Sequence, residues 1–95
     1  MKIDIVTFDE NEDVKALYLD GKLYLSGDYY HDHISDNIDG WLSGIKFIKE
    51  RLGLSIDIGV HEHFLTEESQ DKFCENGGDC PRKFPFKKYK LRCME

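Results

Sequence analysis

No stretch of this chain is apolar for long enough to span a membrane as a helix, and its opening residues, MKIDIVTF, carry Lys2 and then Asp4 inside the apolar run. A helical membrane span and the uninterrupted core of a signal peptide are therefore not expected, and a cytoplasmic location is. Cysteine is scarce and odd in number: Cys74, Cys80 and Cys93 cannot all pair within one chain. That count suits a reducing compartment better than a secreted disulfide scaffold, although a Cys74–Cys80 bridge stays available on oxidation. There is no internal repeat or low-complexity region.

The signatures of common chemistry are missing as well. The sequence holds no phosphate-binding loop, no Gly-x-Ser-x-Gly elbow and no dinucleotide fingerprint. Its cysteines lack the short Cys-x2-4-Cys hook that organises most structural zinc sites. Two ligand-like pairs do occur, His31-Asp32-His33 and His61-Glu62-His63, since alternate residues of an extended segment share a face. They fall in different elements, however, and the second lacks the helical His-Glu-x-x-His spacing, so turn and strand-edge roles are expected and no metal or cofactor is. No feature lowers a particular thiol pKa or builds an oxyanion hole, and a non-enzymatic protein is expected.

What the sequence does have is a charge split. The last fifteen of its 95 residues carry Arg82, Lys83, Lys87, Lys88, Lys90 and Arg92 against Glu95 alone, whereas the first eighty carry eighteen acids and seven Lys or Arg. A body of net −11 thus bears a segment of net +5, for the overall −6. Such a segment must fold back on the body or hold something anionic. At 95 residues, with 40% hydrophobic and 13% aromatic content, the chain fits one small domain, residues 1–95, with 81–95 as a basic C-terminal segment within it.

Lys2 to Phe8 reads as a strand with Ile3 and Ile5 on one face and Asp4, Val6 and Phe8 on the other. A polar turn over 9–13 leads to strands Val14–Leu19 and Lys22–Ser26, joined by Asp20-Gly21, a dipeptide suited to a type I′ hairpin. Period 3.6 then takes over, with Ile34, Ile38, Trp41, Leu42, Ile45, Ile48 and Leu52 as one stripe and Gly53 as the stop. Leu54 to Leu65 alternates as a strand, Thr66-Glu67-Glu68-Ser69 begins a short helical turn ending near Phe73, and Phe86 to Cys93 forms an edge strand. The fold expected is α+β: one amphipathic helix on a three- to five-stranded, mainly antiparallel sheet, in the order βββαβ followed by an irregular basic segment.

Three places are candidates for function. Opposite the helix stripe lies a strip of Asn37, Gly40, Gly44, Phe47 and Arg51, in which two interior glycines cost roughly 1 kcal/mol each against Ala and bare the backbone beside an outward Phe. Either Phe84, Phe86 or Tyr89 of the basic segment covers it, or it docks a second copy or another protein. In the joint Gly27–His33, Tyr29 or Tyr30 either seals the core while Asp32 or Ser35 caps the helix, or these residues form a contact loop. Arg82, Lys83, Lys87, Lys88, Lys90 and Arg92, interleaved with Phe84, Phe86 and Tyr89, have the chemistry to hold a nucleotide or nucleic acid.

The function expected first is protein binding or inhibition by a small acidic homodimer, comparable in kind to the short acidic proteins with which phages blunt bacterial defences. The alternative is sequestration of an anionic ligand, nucleotide or nucleic acid, by the basic aromatic segment within an oligomer. The net −11 of the body weighs against a long polyanion.

Overall fold

The computed structural model describes residues 1–9, 11, 13–53 and 58–93, the Cys93 side chain excepted. Its elements are β1 (Lys2–Thr7), β2 (Val14–Leu19), β3 (Lys22–Asp28), α1 (Ile34–Leu52), β4 (Gly59–Leu65), α2 (Glu67–Glu75) and β5 (Leu91–Cys93). Residues 54–57 of the expected fourth strand, and Glu10 and Glu12 of the expected turn, lie outside the described residues. Among the described residues the strands form one five-stranded sheet in the order β3-β2-β1-β4-β5.

The α+β class holds, and three of the four strand pairings are antiparallel, but the sheet is mixed because β4 pairs with β1 in parallel. Parallel neighbours need a long crossover, and the 19-residue α1 supplies it by carrying the chain from β3 past β2 and β1. The hairpin forms as its sequence predicts: Asp20 and Gly21 have φ of 48° and 84°, the left-handed pair that a type I′ turn requires. A register shift at Leu17/Tyr18 lets Tyr24 meet Trp41 at 5.6 Å between ring centroids while Leu23 joins the opposite face.

Alternation along β1 and β2 divides the core in two. Ile3, Ile5 and Leu17 meet Ile34 and Ile38 of α1 on one face. On the other, Val6, Phe8, Ala16, Tyr18 and Leu65 meet Phe73 of α2 and Tyr89 of the C-terminal segment. The result is three layers rather than one helix on a sheet. The second helix is the expected helical turn grown to nine residues, with Thr66 Oγ1 accepting from the Ser69 amide at 3.3 Å as its cap.

The C-terminal segment is mostly irregular and only its last part, Leu91–Cys93, joins the sheet, shorter than the expected strand. It is tied to the hairpin by hydrogen bonds from the Leu23 amide to Arg82 O and from the Phe84 amide to Gly21 O, at 2.9 and 2.8 Å. Gly21 therefore has two jobs, since a Cβ there would come within 2.8 Å of Phe84 O. Tyr18 donates its hydroxyl to Pro81 O at 2.6 Å, and Lys90 donates its amide to Ser69 Oγ at 2.8 Å. Between these ties Phe84, Phe86 and Tyr89 turn inward, with Phe86 at 5.7 Å from Phe8 and 5.6 Å from Tyr18. Truncation of Phe86 to Ala should therefore cost about 2–3 kcal/mol in urea denaturation, whereas Phe47→Ala, compared at high dilution where any pairing of copies is lost, should stay within about 0.5 kcal/mol of wild type. Equal costs would contradict this packing.

Candidate functional site

The expected stripe of α1 is buried only over its first half. Ile34 and Ile38 are buried and Trp41 and Leu42 partly so, but on the same stripe Ile48 is 51% and Leu52 67% exposed. At about 1.5 Å per residue a 19-residue helix is roughly 28 Å long, against roughly 20 Å for a six-residue strand. The helix outruns the strands it packs on, and among the described residues no strand covers its C-terminal turns. The opposite strip is open too: Phe47 is 59% exposed, and a Cβ built on Gly40 or Gly44 meets nothing within 4 Å. Arg51 stacks its guanidinium 5.4 Å from the Phe47 ring centroid, and Asn37 donates to Asp32 O at 2.8 Å. None of the expected covering rings reaches this strip, because Phe84, Phe86 and Tyr89 pack on the far face of the sheet.

The rings of the C-terminal segment are thus core, while its cations face outward. Arg82, Lys83, Lys87, Lys88, Lys90 and Arg92 are all exposed, and none makes an ion pair among the described residues. Arg92 lies 5.6 Å from the Phe64 ring centroid. Tyr89 departs from the expected stacking role: it is 8% exposed and its hydroxyl accepts from Asn76 at 3.3 Å. A groove of about 1040 Å³ opens along this segment, with Phe84, Phe86 and the two prolines among its apolar walls and Arg82, Lys83, Lys87 and Lys88 along it.

The histidine pairs separate into single roles. His31 Nδ1 lies 3.0 Å from Asp28 Oδ2, and the His31 amide, then the His31 ring and the Asp32 amide, hold the Asp28 carboxyl below its ordinary range. Asp32 Oδ2 accepts from the Asp28 amide at 3.0 Å, so it closes this loop instead of capping α1, whose N-cap position is His33 with no side-chain cap. Tyr29 and Tyr30 are 51% and 72% exposed and seal nothing. Among the described residues no three His, Cys, Asp or Glu gather as metal ligands. Cys74 and Cys80 are free, and burial, with the Asp79 charge, pushes the Cys80 thiol up to about 11, the opposite of nucleophile activation.

One pair was missed at the level of sequence. Asp4 is 1% exposed, and its Oδ1 lies 2.8 Å from His63 Nε2 while Oδ2 is buried with no hydrogen-bond partner among the described residues. Phe84 lies over the imidazole at 4.9 Å between centroids. The signal was present in the acid that interrupts β1 on the Val6 side, but its partner comes from 59 residues away.

Compared with known protein-family models, curated proteins and solved structures, the chain matches none.

Loss of one partner from a buried hydrogen-bonded pair leaves the other unsatisfied. His63→Ala is expected to destabilise the fold by roughly 2 kcal/mol in urea denaturation, and Asp4→Asn, which keeps a hydrogen-bonding group opposite the imidazole, by clearly less. A His63→Ala cost below about 1 kcal/mol would mean that the pair is not a structural contact.

Proposed function

We propose that this chain is a protein-binding domain that works by contact rather than catalysis, and that its contact surface is the outer side and free C-terminal half of α1. The observation that carries this reading is the exposure of Phe47, Ile48 and Leu52 on consecutive turns of one helix, at 59%, 51% and 67%. Large apolar side chains gathered on one element mark an interface more often than scattered ones do. Phe and Arg, stacked here as Phe47 and Arg51, are residue types that interfaces favour.

The first partner in this reading is a second copy. Asp36 and Asp39 lie in the first half of α1, and Lys46, Lys49 and Arg51 in the second against Glu50 alone. Two copies of α1 laid antiparallel about a two-fold axis near Ser43 and Gly44 would match acidic half to basic half twice over. The same arrangement would seat each Phe47 against the other copy's bare Gly40. Part of this charge layout also suits the helix dipole within one molecule. An inhibitory role would then fall to the acidic exterior, where α2 presents Glu67, Glu68, Asp71 and Glu75, all exposed, to a basic surface on a target.

Light scattering with mass determination tests the pairing. Wild type is expected at twice the chain mass and Phe47→Asp at the single mass, with the variant keeping the wild-type circular dichroism spectrum and losing only the stability that pairing adds. A wild type that remains monomeric across a wide range of concentration removes the second copy as the partner of this surface.

A further inference from the structure

We propose that the groove along the C-terminal segment is a binding site for a small organic phosphate of nucleotide type, its flat apolar part against the groove wall and its phosphate held by Arg82, Lys83, Lys87 and Lys88. This site is independent of α1, since it is built from the layer on the opposite face of the sheet.

Three observations carry the inference. The four cations line one groove of about 1040 Å³, and the one acid that shares it is Asp79. None of the four side chains makes an ion pair, a hydrogen bond or a ring contact among the described residues, although the chain has nineteen acids to offer. Like charges brought together without counter-charges repel, and an anion seated among them removes that cost. The backbone that carries them is also held in advance. Arg82 and Phe84 are hydrogen-bonded to the β2–β3 hairpin, Lys22 and Lys83 form an isolated bridge, and Lys90 is bonded to Ser69 of α2. A ligand would order side chains but not the loop, which lowers the cost of binding.

The class of ligand follows from the walls. Phe84 and Phe86 are only half-buried, and with Pro81 and Pro85 they give the groove an apolar side that an inorganic anion would not use. An apolar wall with a few convergent charged groups is the usual make-up of a small-molecule site, and this volume is at the upper end of that range. Lys and Arg suit phosphate oxygens as donors, with Arg able to engage two at once. A long nucleic acid is disfavoured. The groove includes Asn76, where α2 ends, and α2 turns its exposed acids to solvent beside it on a body of net −11.

The test is calorimetric titration of the full chain with ADP, adenosine, inorganic phosphate and a twelve-nucleotide thymidine strand at low and moderate salt. ADP is expected to bind saturably and more weakly as salt rises. Adenosine and phosphate should each bind at least about tenfold more weakly than ADP. The double variant Lys87→Gln/Lys88→Gln should lose at least about tenfold in ADP affinity, while Lys15→Gln/Lys72→Gln, which removes two cations that do not line the groove, should bind ADP as wild type does. Lys72, Lys87 and Lys88 are exposed and Lys15 is half-buried, and each variant is expected to keep the wild-type circular dichroism spectrum. The proposal is overturned if ADP shows no saturable binding, if phosphate alone binds as tightly as ADP, if the variant outside the groove loses as much affinity as the groove variant, or if the strand binds more tightly than ADP.

Discussion

The structure depends on the docking of the C-terminal segment against the second face of the sheet. That face is made by Val6, Phe8, Ala16 and Tyr18, fully buried side chains that α2 alone, with Phe73 as its one buried large apolar residue, would leave partly wet. Phe84, Phe86 and Tyr89 complete the layer, with edge contacts among themselves at 5.3 and 6.1 Å. Because a side chain can face only one way, the same segment that turns its rings inward must turn its lysines and arginines outward. The sequence-level question of whether the basic segment folds back or holds an anion thus rests on a false opposition. Its rings fold back, and its cations find no ion-pair partner among the described residues.

A second consequence reaches α1. With the C-terminal aromatics committed to the other face, nothing among the described residues covers Phe47, and the helix extends beyond the strands that bury Ile34 and Ile38. On this side of the sheet Val60, the register partner of Ile3, is also 45% exposed, so α1 leaves the β4 side open. The molecule therefore presents two unlike surfaces on opposite sides, an apolar helix face and a basic groove. They need not compete, and a pair formed through α1 would leave both grooves accessible.

Much of this was legible in the residues, for reasons that can be named. The Asp20-Gly21 hairpin, the bounds of α1 at Ile34 and Leu52 and its stop at Gly53 follow from local backbone chemistry, and local chemistry is what a sequence displays. The parallel pairing of β1 with β4 was not legible, because strand neighbours across a helix crossover are fixed by tertiary packing. The stripe through Ile48 and Leu52 has the right period, yet periodicity cannot report where the sheet beneath a helix ends. At the sites, Phe47 and Arg51 were found as an outward pair and the basic segment as a charge anomaly. The direction of Tyr89 and the meeting of Asp4 with His63 depend on contacts 13 and 59 residues apart and lay beyond reach.

The central claim is that the aromatic rings of the C-terminal segment lie on the sheet face opposite α1. Nuclear Overhauser contacts from the Phe86 ring measure it most directly. The account predicts contacts to Phe8 and Tyr18, whose ring centroids are 5.7 and 5.6 Å away, and none to Phe47 or Gly44. Contacts from Phe84, Phe86 or Tyr89 to Phe47 or Gly44 within a monomeric protein would contradict it, and would close both the free face of α1 and the groove in one stroke.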